Sequence, residues 1–292
     1  MRASDVLELL LLSALWGGSF LFMRIAAPVL GPVWLIECRV LLAGLALLPL
    51  ILRPQTWAVI RPRLVPLFIV GSINSALPFL FLAFASLSLP AGYTSIVNAT
   101  APLFGTLIAA TWFQERLTVA RIIGLILGFA GVVLLIGLQP MTITPIVVGS
   151  ITAGLMAAMM YAIAAPYAKR HLSGIPPLII APVSQLSAAV ALLPLLPFTA
   201  PTTIPSTRIM LAVLALALFS TSLAYLLYFR LIQNIGASKA LTVSYLVPVF
   251  AVLWGTVFLH EALTVAIVLG CCLILIGTAV ANGLLVRSSR TR

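Results

Sequence analysis

Residues 91–131, AGYTSIVNATAPLFGTLIAATWFQERLTVARIIGLILGFAG, return 146 positions later as residues 237–277, ASKALTVSYLVPVFAVLWGTVFLHEALTVAIVLGCCLILIG, without a gap. Val97 meets Val243, Pro102 meets Pro248, Phe104 meets Phe250 and Leu107 meets Leu253. The densest run is Glu115-Arg116-Leu117-Thr118-Val119-Ala120 against Glu261-Ala262-Leu263-Thr264-Val265-Ala266, and beyond it Gly124 and Gly131 meet Gly270 and Gly277. About a third of the positions are identical, more than a shared apolar composition produces, so the chain reads as two copies of one unit.

What surrounds the repeat is a membrane protein. Of 292 residues 63% are hydrophobic and only 7% charged, with a mean hydropathy of +1.25, against about a quarter charged in soluble domains. The apolar runs are long enough for helices across hydrocarbon and lack the alternation of an outer-membrane barrel. The formal charge of +11 is weighed first against basic cytoplasmic loops and only then against nucleic acid, which it does not require. Cys38, Cys271 and Cys272 lie in apolar runs with neither a disulfide framework nor metal-ligand spacing.

Pro, Gly and charge divide the chain into ten expected spans: Val6 to Val29, Pro32 to Leu52, Leu64 to Ser88, Ala91 to Gln114, Val119 to Leu138, Pro145 to Arg170, Pro177 to Leu196, Arg208 to Ile235, Ala237 to Leu259 and Val265 to Val286. Residues 1–138 form the first five-helix repeat, 145–286 the second and 287–292 a basic cytoplasmic tail. Five spans is an odd number, so the second copy inserts upside down relative to the first. The expected fold class is therefore an all-α membrane protein of ten transmembrane helices in two inverted five-helix repeats. With the N-terminus in the cytoplasm, 13 of the 16 basic residues fall at the inner side, Arg24, Arg39 and Arg208 being the exceptions. This places the chain as a multi-pass protein of the inner (plasma) membrane with both termini cytoplasmic.

No P-loop, HExxH or nucleophile elbow is present, which excludes the common hydrolytic and nucleotide-driven classes. Inverted repeats instead predict a solute site near a pseudo-two-fold axis. Pro102 and Pro248 interrupt equivalent helices, with Asn98, Ser95, Ser244 and Tyr245 nearby as hydrogen-bonding side chains; they either line the pathway or merely allow kinks and close packing. Asn74, Pro78 and Phe81 align with Ser220, Ala224 and Leu227, and Tyr225 and Tyr228 share part of a helical face with Thr221. Trp16, Ser19 and Phe20, with Met156, Met160 and Tyr161, add aromatic and polarizable surface suited to an apolar or aromatic solute with a small polar end, or to plain core.

Charge inside a membrane is costly and marks Arg24, Glu37 and Arg39. Two readings stand: an Arg24–Glu37 structural pair with Arg39 snorkelling outward, or Arg39 or Glu37 serving a zwitterion or a proton. Glu115 and Glu261 are read as structural, each ending a helix ahead of an N-cap threonine, Thr118 or Thr264.

Ala14-Leu15-Trp16-Gly17-Gly18-Ser19-Phe20, Arg39 followed by an Ala/Leu run ending at Pro49, and two copies of Pro-x-Phe, then Glu-x-Leu-Thr and a Gly-rich last helix resemble the EamA branch of the drug/metabolite transporter superfamily. The second copy departs from the Trp-Gly form at Met160-Tyr161-Ala162. The resemblance implies ten helices in inverted halves and export of metabolites from the cytoplasm, and the overall look is similar to YddG-type exporters of aromatic and other amino acids. Sugar-phosphate carriers would present cations in mid-membrane; the central stretches are read as containing none, which favours a neutral or zwitterionic solute. The expected partners are a small-molecule substrate and the bilayer, with no cofactor, metal or nucleic acid, and with monomer or homodimer open. A carrier working by alternating access leads; a passive channel or facilitator, or an exporter of another metabolite or drug, is the alternative, and an enzyme is not expected.

Overall fold

The computed structural model describes residues 2–112, 114–115, 117–138, 142 and 144–282. The expected tail at 287–292 lies outside them, as do Arg116 and most of the link between the copies. Among the described residues the chain is all helix, with seven helices long and apolar enough to cross a membrane and two shorter apolar ones.

The first expected pair of spans is one helix in outline, α1 (Ala3–Leu47), broken at Gly31, whose φ of 73° and ψ of 155° leave the helical region. An L side chain rarely adopts that φ, so glycine is what lets the chain turn there. Pro28 lies within the first arm, and Pro32 opens the second, where a missing N–H costs least. The break is thus a single residue, narrower than the gap between the expected spans ending at Val29 and opening at Pro32. A short helix not anticipated, α2 (Pro54–Ile60), precedes α3 (Leu64–Gly71), which passes through a π-helical turn at Ser72–Ala76 into α4 (Leu77–Ala85).

The opening repeat stretch forms α5 (Ala91–Asn98) and α6 (Ala101–Trp112), interrupted at Ala99 and Thr100 just ahead of Pro102. After α7 (Val119–Gly137), α8 (Pro145–His171) and α9 (Pro177–Leu192) come α10 (Thr207–Ala217), a second π-helical turn at Leu218–Leu223, and α11 (Ala224–Ile235). The chain ends in the short α12 (Ala237–Ala240), α13 (Val243–Leu259) and α14 (Val265–Ala281). Pro248 lies buried inside α13, and the break in this copy falls earlier, at Leu241 and Thr242, so the two prolines do not interrupt their helices alike.

Close approach is built from glycine. A Cβ at Gly124 of α7 would lie 2.6 Å from the Gly277 carbonyl oxygen of α14, and one at Gly270 would lie 3.2 Å from the Gly131 carbonyl oxygen. Gly124 and Gly270 are 146 positions apart, as are Gly131 and Gly277, so the two crossings use the same pair of sequence positions in reverse. In lipid, helix association rests on this kind of backbone proximity because hydrocarbon already solvates apolar side chains.

The ends of the α6 and α13 helices are also alike. Gln114 (φ 53°) and His260 (φ 54°) are, among the described residues, the non-glycine residues with positive φ, the Glu115 and Glu261 amides donate to the Ala109 and Gly255 carbonyls at 3.1 Å, and the Thr118 and Thr264 hydroxyls accept from the Arg121 and Ile267 amides. The threonines are N-caps, as expected from Leu-Thr before an apolar run.

Candidate functional site

The polar centre of the body is assembled on the two π-helical turns. A π turn holds one residue more than an α turn and turns its carbonyls and side chains out of the regular ladder. Pro78, without an N–H, suits the turn at 72–76. Its counterpart in the other copy is Ala224, so proline is not the shared cause. In the second turn the hydroxyls of Thr221 and Ser222 donate five residues back, to the Leu216 and Ala217 carbonyls, at 2.9 and 3.0 Å. Each threonine or serine oxygen can still accept.

Arg39, on the second arm of α1, uses that capacity. Its Nε donates to Thr221 Oγ1 at 3.0 Å, its Nη1 reaches the Met23 sulfur at 3.8 Å, and its guanidinium carbon lies 3.6 Å from the centre of the Phe79 ring. Across the body, Gln185 Nε2 on α9 donates to Ser75 Oγ at 3.0 Å, with the Ser184 hydroxyl 3.3 Å from the same oxygen. Tyr161 and Tyr225 interact electrostatically with Arg39, and Tyr225 lies beside Ser75 and Gln185, joining the two contacts into one layer. The layer crosses α1, α8, α9 and both π turns within otherwise apolar surroundings that include Phe20, Met23 and Phe79.

This geometry corrects the charge readings. Arg24 does not pair with Glu37: its Nη1 donates to the Ser86 and Leu87 carbonyls, both at 2.8 Å, at the C-terminal end of α4, where a cation meets unpaired carbonyls. Arg39 does not snorkel, since it is only 4% exposed and held at the middle turns of its neighbours. The central stretches therefore do contain a cation. Glu37 is 4% exposed, with one carboxylate oxygen that no group hydrogen-bonds.

The other expected site residues fall in several places. Tyr161, Tyr225, Phe20 and Pro78 surround or flank the layer, and the half-buried Asn74 lies in its first π turn. Ser19 is buried. Trp16 packs on Tyr228 with ring centres 5.2 Å apart, in a separate cluster with Leu12 and Leu231. Ser95 Oγ and Asn98 Oδ1 are buried on α5 without partners, as is the Tyr93 hydroxyl, beside a third apolar cluster. Pro102 is half-buried, Ser244 is exposed, and the Tyr245 hydroxyl accepts from Asn282 Nδ2 at 3.1 Å rather than joining the centre.

Ser75, Ser184 and Gln185 were missed. Pro32 against Pro177 and Pro49 against Pro194 lie 145 positions apart, and that count sets Ser184 opposite Arg39, whereas the continuous offset of 146 selects Gln185. Two cavities lie away from the layer: one of about 530 Å³ lined by Pro32, Phe81, Phe84 and Met156, and one of about 550 Å³ lined by Val29, Ser206, Arg208 and Leu259.

Glu261 makes a contact that a turn-holding role does not predict. Both its carboxylate oxygens accept from the Ala91 amide, at 2.9 and 3.0 Å, placing the anion on the N-terminus of α5. Its repeat counterpart Glu115 pairs instead with Arg121 at 2.9 Å, near the surface.

The body is helical, with spans long and apolar enough to cross a membrane, and it encloses a hydroxyl-lined layer with a buried cation. The chain belongs to the EamA-like transporter family, whose model matches it over residues 5–137 and again over 148–283. It is similar to an uncharacterized transporter of Archaeoglobus fulgidus, 24% identical over 90% of this chain and 92% of that one. It also resembles the uncharacterized inner membrane transporter YedA of Escherichia coli, 29% identical over 83% and 78%. A "probable amino-acid metabolite efflux pump" of Salmonella typhimurium is 28% identical over 95% and 94%. One crystal structure shares the fold at 23% identity and a TM-score of 0.64, covering 97% of this chain and 98% of the other. The family and these relatives are transporters, not enzymes.

Proposed function

We propose that the protein exports amino acids, aromatic or otherwise hydrophobic, or similar small metabolites from the cytoplasm by alternating access, with ten spans arranged as two inverted five-helix halves. The observation that carries this reading is the pair of contacts Arg39–Thr221 and Gln185–Ser75. Each member is 146 positions from its counterpart, so each half reaches across to the π turn of the other, as two inverted halves sharing a central site would. The glycine crossings of α7 and α14 and the two separate matches of the family model support the same arrangement. The distribution of basic residues supports cytoplasmic termini, and the inner-membrane relative supports that location. The aromatic and apolar side chains around the layer suit a solute with a hydrophobic body, and the efflux pump among the relatives supports amino acids as the class.

The test is uptake of labelled tryptophan, phenylalanine, threonine and a sugar phosphate into liposomes holding the purified protein, with and without preloaded unlabelled solute. Saturable amino-acid uptake accelerated by preloading is expected. Unsaturable flux would indicate a channel, and flux of the sugar phosphate alone a different metabolite class.

A further inference from the structure

The layer is symmetric in position and asymmetric in charge. One half contributes the neutral Gln185 and the other the cation Arg39, and among the described residues no ion pair reaches Arg39. Its contacts are a hydroxyl, a sulfur and an aromatic face. A guanidinium stays charged at any accessible pH, and a charge removed from water is normally matched by an opposite one, since dipoles and a ring recover only part of its hydration. Glu37 does not supply the match: two residues along the same helix, it points to nearly the opposite side. The guanidinium carries more N–H donors than its protein contacts use, arranged as a fork that fits a carboxylate. Tyr161 and Tyr225, the polar aromatics that interact with it, bring hydroxyls but no negative charge to its side of the layer.

We infer that Arg39 is the anchor for a carboxylate on the transported solute, with the Gln185–Ser75 side of the layer left for uncharged polar groups and the surrounding aromatics for the apolar remainder. The substrate class is then carboxylic acids, amino acids among them, and excludes the corresponding amides and amines. This rests on the transporter reading above, and it adds a residue-level reason for selectivity.

The experiment measures thermal unfolding of the purified full chain against graded concentrations of three acid/amide pairs, those of phenylalanine, leucine and threonine, and of inorganic phosphate and chloride. At least one acid is expected to protect at a concentration about tenfold or more below its amide, because a site built for a charged hydrogen-bonding group rejects the analogue lacking it. Arg39→Gln is expected to abolish the preference, and Arg39→Lys to keep part of it through charge alone. Equal protection by acid and amide, no protection by any acid, phosphate or chloride protecting as well as the acids, or a preference that survives in Arg39→Gln would each overturn the inference. The wild-type comparison decides the matter even if a variant fails to fold. Counterflow of the same solutes separates the two claims: acid-selective binding without exchange sinks the transport reading alone, while equal exchange of acid and amide sinks the anchor alone.

Discussion

Arg39 and Gln185 make the same hydrogen bond from opposite halves, each at 3.0 Å and each to a hydroxyl on the π turn of the other half, Thr221 for Arg39 and Ser75 for Gln185. The likeness of position and the difference of charge imply unequal consequences for the two acceptors. Loss of Thr221 Oγ1 leaves a buried charged donor unpaired; loss of Ser75 Oγ leaves a neutral one.

Thr221→Val should therefore destabilise the protein by about 1.5–3 kcal/mol, and Ser75→Ala by about 0.5–1.5 kcal/mol. Thr221→Ser keeps the oxygen and should remain near wild type. Thermal unfolding in one detergent and at one salt concentration reads all three, and a Thr221→Val protein as stable as Ser75→Ala would contradict the charge asymmetry.

Glu261 on the α5 N-terminus is a clasp between α13 and α5, and Gly255 leaves room for it, because a Cβ there would meet the Glu261 carboxylate. Glu261→Gln weakens the attraction to the helix N-terminus, and Gly255→Ala displaces the side chain; both should loosen the same end of the body. In a protein whose native cysteines are replaced by serine, a cysteine at the fully buried Leu89, just ahead of α5, reports it. Labelling by a polar thiol reagent should rise in both variants and stay unchanged in Glu115→Gln, whose partner Arg121 lies at the surface.

Much of this architecture was readable because it is periodic and local. A gapless repeat, Leu-Thr before an apolar run and glycines at a fixed offset each announce themselves within one segment. The polar layer does not, because its members come from five segments and its key acceptors, Ser75 and Thr221, are small hydroxyl residues of a kind common in membrane helices. A π turn leaves no fixed sequence mark, as Pro78 against Ala224 shows. The charges misled for a related reason: helical spacing put Arg24 within reach of Glu37, but the carbonyl end of α4, which is invisible in spacing, is where Arg24 donates.

The α7–α14 crossing predicts a sharp contrast between glycines. Gly277→Ala places a methyl group against the backbone of Gly124 and Gly128, where nothing can rotate away. The cost is expected to be about 1–3 kcal/mol, the usual range for overpacking. Gly137→Ala, at the end of α7 with open space around its Cβ, should be neutral or slightly stabilising through helix propensity. Comparable losses in the two variants would mean that the crossing is looser than the geometry requires.

Glu37 offers the opposite sign. Its buried oxygen lacks a hydrogen-bond partner and among the described residues no cation pairs with it, so ionising it has nothing in the described structure to offset desolvation. Glu37→Gln keeps the shape and removes the charge, and it is expected to leave the unfolding temperature unchanged or higher, whereas Glu37→Ala should lower it by opening a cavity. The same pair of variants bears on coupling. If Glu37 carries a proton during transport, Glu37→Gln abolishes the dependence of flux on a pH gradient while the protein remains folded and still exchanges solute. Full flux with an unaltered pH profile would remove Glu37 from the mechanism and leave the solute gradient as the driving force.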